Sequence, residues 1–546
     1  MKSMSAAIGA LATGIAFATG CSSSDHGSAG NDGGSDSTAS SSSGSGGGSG
    51  GGGSSSSSNS SSSSGGGCEC PTGGSGACAD AQTDPDNCGS CGTKCPAACV
   101  SGTCRTVKAI ATGSSSACAL LSGGTVECWG YNGDGELGDG TSVGPETCSG
   151  DACSKTPVVS ALSGATAVAA GASGYFCGSL QDGKVECWGE GASGVLGNGT
   201  TTSSSSPVAV SALSGATALA TSHNPGGGAD GFSCALLSGG TVECWGFNNF
   251  GQLGNGTMTS SSSTPVAVSG LNGVTAIATG FNSACALLSG GAVECWGDNT
   301  YGELGNGTTT SSSTPVAVSG LSGATAVALG YPHYACALLS GGTVECWGGD
   351  DDRAIDGGTS TGPETCAGAP CATKPVAVSG LNDVTAIAIG SGYDLGSYSY
   401  ACALLSGGTV ECWGGNSHGE LGSGTTTASS TPVAVSGLSG ATAVATGYDG
   451  NCAVLSGGTV ECWGDNTYGQ LGNGTSTGPQ MCNGNPCSMM PVAVSGLSGA
   501  TAVATGNTYN CALLSGGTVE CWGNNGDGQL GNGTTTNSST PVAVVW

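Results

Sequence analysis

Residues 118–130 read CALLSGGTVECWG. The same thirteen residues recur unchanged from Cys234, Cys336, Cys402 and Cys511, and close variants begin at Cys177, Cys285 and Cys452. Two short apolar runs flank a Ser-Gly-Gly turn, the pattern of a β-hairpin. Centred on Gly123, such a hairpin sets Leu121 opposite Thr125, Leu120 near Val126 and Cys118 opposite Cys128. Facing residues at a non-hydrogen-bonded site have Cα atoms about 4.5 Å apart, within the reach of a disulfide. The spacing therefore predicts eight cross-strand staples: Cys118–Cys128, Cys177–Cys187, Cys234–Cys244, Cys285–Cys295, Cys336–Cys346, Cys402–Cys412, Cys452–Cys462 and Cys511–Cys521. Each is worth about 2.5–3 kcal/mol on the chain-entropy model.

Outward from the hairpin, residues 274–319 form one complete unit. VTAIATG is short and apolar, ACALL and AVECWG are the hairpin, DNTYGELGNGTTTSSS is Gly-rich, and TPVAV closes the unit. These are four short β segments punctuated by Gly, Asn and Pro. The first hairpin cysteines of successive units lie about 51 residues apart, more in some units. A period of that size marks propellers and solenoids, and a four-stranded antiparallel unit repeated about an axis is a propeller blade. The fold class expected is all-β: a β-propeller of eight four-stranded blades over residues 107–546. The tryptophan after each hairpin is expected between blades, and the glutamate before each second cysteine is expected to accept backbone hydrogen bonds.

The run WGDNTYGELGNG, followed by TPVAV and ATG, resembles the repeat of the regulator-of-chromosome-condensation family. The resemblance covers some 440 residues and implies a propeller. Known members usually have seven blades; eight complete units here favour eight, with seven as the alternative. The nuclear member that names the family binds chromatin and promotes nucleotide exchange on a small GTPase. The composition of this chain argues against both: 8 Lys plus Arg stand against 36 Asp plus Glu, a net charge of −28. No basic patch for phosphates can be assembled from that inventory.

Thirty-one cysteines in 546 residues indicate an oxidising compartment. Lys2, the apolar residues 5–18 and the sequence Ala18-Thr19-Gly20-Cys21 resemble an export signal ending in a bacterial lipobox. Lipidation of Cys21 is expected, with ordinary signal cleavage as the alternative; the location expected is the cell envelope. Residues 22–67 are nearly all Ser and Gly, expected to be a disordered tether spanning about 35–40 Å. Residues 68–104 hold eight cysteines and are expected to be a small disulfide module rather than a zinc site, with connectivity open. Within the propeller, Cys148–Cys153, Cys366–Cys371 and Cys482–Cys487 are expected as loop clips. With Cys21 lipidated, no cysteine remains as a free nucleophile.

Antiparallel strands place the strand 1–2 and strand 3–4 loops on one face, and the SGG turns and SGLSG connections on the other. Only the first set varies in length. It also holds all eleven tyrosines, at least at its edges, and His223, His333, His418 and Arg353. Aromatic residues on loops of a rigid scaffold suit recognition. The candidate binding residues are Tyr331, His333 and Tyr334 in unit five and Tyr393, Tyr398 and Tyr400 in unit six; the competing reading is that such aromatics only cover blade ends by packing. Asp350, Asp351 and Asp352 interrupt the loop pattern of unit five; they suit a hard cation or simply a solvated turn. No metal site, cofactor or catalytic residue is assigned. YNGDGELGDG fails the calcium-loop test because Leu137 stands where glycine is required. Sialidase chemistry needs an arginine triad, whereas the propeller region past residue 107 has only Arg353. The sequence thus predicts a binding scaffold for a protein or carbohydrate partner rather than an enzyme. A degradative envelope enzyme (glycosidase or lyase) and a purely structural envelope component are the alternatives.

Overall fold

The computed structural model describes residue 95, residues 99–100 and residues 103–546 except 172–173, 223–230, 332, 351–354, 356–363, 391–398 and 449. The expected export signal and Ser/Gly tether and most of the Cys-rich residues 68–104 lie outside the described residues. Of that module the structure gives the Cys95–Cys104 disulfide and a short ladder, Cys99–Val100 with Thr103–Cys104. Among the described residues no helix is long and apolar enough to cross a membrane.

Beyond residue 106 the chain forms eight antiparallel sheets, each from one repeat, with the four strands common to all of them in sequence order from the axis outward. Blade four is typical: Val274–Thr279, Ser283–Leu288, Val293–Gly297 and Ser312–Ala317. Blades one, five and seven gain a fifth, outer strand from the clip loops, such as Glu146–Cys148 in blade one. The hairpin register is the expected one: Cys285 faces Cys295, and Leu287 faces Val293. All eight staples and all three clips are bonded, and the paired hairpin cysteines have Cα atoms 4.0–4.1 Å apart.

The two-residue period of a strand explains why the staple lies in the core. In Val293-Glu294-Cys295-Trp296, the valine and cysteine face blade five while the tryptophan faces blade three. Eight apolar clusters result, one at each blade interface. At the interface between blades four and five, Cys285, Val293 and Cys295 pack on Ala335, Ala337 and Trp347 of the next blade. Trp296 is fully buried, and its Nε1 donates to the Gln252 carbonyl of blade three at 2.8 Å. Gly254 must be glycine there: its φ is +65°, and a Cβ would stand 2.9 Å from the Trp296 indole.

The eighth interface repeats the others, which fixes the blade number. Trp129 of blade one donates to the Gln529 carbonyl of blade eight at 2.8 Å. The Val107 amide meets the Gly517 carbonyl at 3.0 Å. Along the axis, small residues let the inner strands approach, and threonines lash some of them together. Thr112 Oγ1 donates to the Thr505 carbonyl, Thr505 to Thr446, and Thr446 to the Ile389 carbonyl.

One expectation fails. None of the eight hairpin glutamates accepts a hydrogen bond from the described residues, because the amides beside them are already committed to the sheet ladder. Glu127 is the most buried of them, and burial pushes its carboxyl up to about 7.

Candidate functional site

The strand 3–4 loop owes its shape to one asparagine. Asn299 Oδ1 accepts from the Leu304 amide at 2.9 Å, and its Nδ2 donates to the Thr308 and Thr310 carbonyls. Asn132, Asn248, Asn416, Asn466 and Asn525 make the same Oδ1 contact in their blades. In blade five Asp350 takes this role: it is buried, and its Oδ1 accepts from the Ile355 amide at 2.7 Å. Asp350 is therefore part of the loop frame rather than a rim carboxylate open to a cation. Asp351 and Asp352 lie outside the described residues.

Two of the expected binding tyrosines are also frame. Tyr334 and Tyr400 are 2% and 0% exposed. The Tyr334 hydroxyl accepts from Trp413 Nε1 of blade six at 3.1 Å. That of Tyr400 meets Asn451 Oδ1 of blade seven at 2.9 Å. Tyr175 and Tyr509 bridge their interfaces in the same manner. All four stand two residues before a hairpin cysteine, so strand alternation puts them on the cysteine face, which is buried. Burial raises the Tyr334 hydroxyl far above its ordinary value. Tyr393 and Tyr398 lie outside the described residues.

Tyr331 and His333 remain, and the structure places them in one group. The strand 1–2 loops of blades four and five meet the strand 3–4 loop of blade four. There Phe281 packs edge-on against Tyr331 with centroids 5.2 Å apart. Tyr301 lies over the His333 ring at 4.3 Å, tilted by 30°. His333 Nδ1 is 2.6 Å from Glu303 Oε1, and the ligand atoms of Asp298, Glu303 and His333 all lie within 4.8 Å of one another. Glu303 Oε2 accepts from the Tyr301 amide at 2.8 Å, and Asp298 Oδ1 accepts from the Thr300 amide and hydroxyl. Tyr331 is half-buried, and burial raises its hydroxyl above the ordinary value. Its carbonyl accepts from Ser399 Oγ of blade six at 2.8 Å, which couples the loops of blades five and six.

Sequence reasoning missed Phe281, Tyr301, Asp298 and Glu303. The two acids are ordinary letters of the repeat and come from the unit before His333. Their signal was positional: no other pair of adjacent units combines acids at both of these positions with a histidine three residues before the next hairpin cysteine.

Elsewhere on this face, Val143, Phe250, Met258, Tyr468 and Met481 are exposed on strand 3–4 loops. The opposite face, of SGG turns and SGLSG connections, exposes fewer: among the described residues Val159, which ends the fourth strand of blade one, and Val545, at the position where the other blades begin the SGLSG connection. Between blades one and two, burial pushes Glu136 up to about 8, with the nearby charges of Asp134 and Glu190 adding to the effect. Glu190 is held at about 7, first by burial and then by Asp134. The buried His418, between blades six and seven, has Ser417 Oγ 3.1 Å from Nδ1 and Asn485 Nδ2 3.4 Å from Nε2.

Comparison with known proteins follows this geometry. The family model described as the regulator of chromosome condensation (RCC1) repeat matches residues 240–287, 291–337, 408–454, 458–513 and 517–546. A second model of the same repeat matches 107–136, 274–303, 441–470 and 500–529. The chain is 30% identical over 270 residues to the E3 ubiquitin-protein ligase HERC2 of Homo sapiens, covering 47% of this chain and 5% of the ligase. It is 36% identical over 134 residues to the ultraviolet-B receptor UVR8 of Arabidopsis thaliana, covering 24% of this chain and 29% of the receptor. Each of these matches spans well under half of the relative's length. Among solved structures, yeast RCC1 (Prp20) bound to Kap60 is similar with a TM-score of 0.51 at 20% identity, covering 67% of this chain and 85% of that one. That likeness concerns the fold.

Proposed function

We propose, for a chain built of regulator of chromosome condensation repeats closed into an eight-bladed propeller, that it is a binding scaffold whose strand 1–2 and strand 3–4 loop face holds a protein partner. The observation that carries this reading is the asymmetry of the two faces. Exposed Val143, Phe250, Met258, Tyr468 and Met481 lie on strand 3–4 loops, against Val159 and Val545 at the opposite face. Apolar and aromatic side chains on the variable loops of a rigid scaffold suit an interaction surface. The solved relative of similar fold was crystallised with a protein, Kap60, which accords with a protein partner. Binding rather than catalysis is proposed, since Asp350 and His418 serve loop and interface contacts.

The partner is met outside the cytosol, on a propeller tethered by Cys21 through residues 22–67. The disulfide count supports this location.

The test is capture from the cell envelope by the full chain, with partner identity by mass spectrometry, followed by affinity measurement. Phe250→Ala, Met258→Ala and Met481→Ala combined are expected to weaken binding at least tenfold, as loss of central apolar contacts does. Unchanged affinity would remove this face from consideration. In the same preparation the N-terminal peptide is expected to begin at a diacylglyceryl-modified Cys21; an unmodified Cys21 would sink the tether.

A further inference from the structure

We propose that Asp298, Glu303 and His333 form a site for one divalent transition metal of the zinc class, set between blades four and five. The three side chains come from two repeats that are adjacent only in the folded ring. Asp298 and Glu303 stand on the strand 3–4 loop of blade four, and His333 ends the strand 1–2 loop of blade five. Their ligand atoms lie within 4.8 Å of one another, and both carboxylates are buried, Glu303 to 3% and Asp298 to 5% exposure. Small side-chain adjustments bring such a set to the 2.0–2.2 Å that zinc takes with nitrogen and oxygen.

A second observation separates this group from an ordinary buried ion pair. Glu303 Oε1 is fully buried and accepts no hydrogen bond, although His333 Nδ1 lies 2.6 Å away. The pair stands beside a second buried carboxylate, Asp298, so that three ligand atoms from two blades converge. Oε2 of the same carboxylate is occupied by the Tyr301 amide, so Oε1 is the atom available to an ion. Tyr301 lies over the imidazole and restricts its orientation. An imidazole nitrogen with two carboxylate oxygens is a borderline donor set, suited to zinc and its neighbours better than to calcium, which takes six to eight oxygens. Three protein ligands leave a position open to water or to a carboxylate of a partner. The site stands whether or not the loop face binds a protein.

The repeats provide the control for this site. Between blades three and four the positions of Glu303 and His333 are held by Gln252 and Asn282, which make an ordinary amide hydrogen bond of 3.1 Å. Gln470 and Gln529 also occupy the glutamate position and keep the same backbone contact. The Asp298 position is asparagine in blade eight, Asn524. Glu303→Gln with His333→Asn thus rebuilds a pair the fold already carries, and Asp298→Asn takes a residue the loop already uses.

The test is calorimetric titration of the full, disulfide-bonded chain with zinc chloride, alongside thermal melting with and without zinc. One equivalent is expected, and the Glu303→Gln, His333→Asn double variant is expected to lower the zinc affinity at least about 100-fold while melting like the parent without metal. His418→Gln, between other blades, is expected to leave zinc affinity unchanged. Absence of zinc binding, equal binding by the double variant, or binding of calcium in place of zinc would each overturn the assignment.

Discussion

Loss of the hairpin staples is expected to unfold the ring under conditions in which the oxidised protein is stable. Each staple closes a loop with a sequence separation of 10 residues, and the chain-entropy model gives it about 2.5–3 kcal/mol. Eight such constraints compare with a net stability of about 5–15 kcal/mol for ordinary domains. The sulfurs are also core atoms: Cys285 and Cys295 are fully buried against Trp347 of the next blade. Replacing both by alanine therefore opens an interface as well as freeing a loop, and a loss of about 3 kcal/mol or more is expected. Guanidinium denaturation of the oxidised, fully reduced and Cys285→Ala, Cys295→Ala proteins measures this. A reduced chain with an unchanged midpoint would show that packing alone closes the ring.

Acidic solution is expected to stabilise the propeller, contrary to the usual behaviour of acid-rich proteins. Glu136 is raised to about 8 and Glu127 to about 7, chiefly by burial. Both titrate near 4.5 when unfolded. Between about pH 4.5 and 8 the folded state therefore binds more protons than the unfolded state, so stability falls as pH rises through that window. The contribution is complete below pH 4.5 and is lost above about pH 8. At roughly 1.4 kcal/mol per unit, Glu136 alone amounts to several kcal/mol. Glu136→Gln isolates it, because Gln252, Gln470 and Gln529 already accept the same loop amide that Glu136 accepts from Asp134. Melting temperature against pH is expected to fall more gently in Glu136→Gln, and the variant is expected to exceed the parent at pH 8. An identical pH slope in both proteins would refute the burial argument.

Much of the frame was legible because its signals are local. Hairpin register follows from alternation about a short turn, so Cys285 opposite Cys295 could be placed from residue order alone. The blade number followed from counting units, and ring closure by Trp129 and Gln529 agrees with it. The loop face was legible as a region but less so as residues. Tyr334 and Tyr400 were expected to meet a partner because they are aromatic and near loops. Yet their spacing of two from Cys336 and Cys402 puts them on the buried cysteine face. Asp350 was set beside Asp351 and Asp352 as an acid run; only the folded loop shows it replacing the asparagine that holds the strand 3–4 turn in six other blades. Asp298 and Glu303 were passed over because acids recur at their positions. Their significance depends on His333, which belongs to the next repeat and meets them only across a blade interface.

The central claim is that the repeated hairpin is frame and the variable loop face carries recognition. Photo-crosslinking residues placed singly in the full chain test it most directly, at exposed Phe250 and Met481 on that face and at exposed Asn272 and Ser406 on the other. Irradiation in native envelope material is expected to give a shared, discrete protein adduct from Phe250 and Met481 and none from Asn272 and Ser406. Adducts from Asn272 and Ser406 alone, or from all four positions alike, would contradict the account.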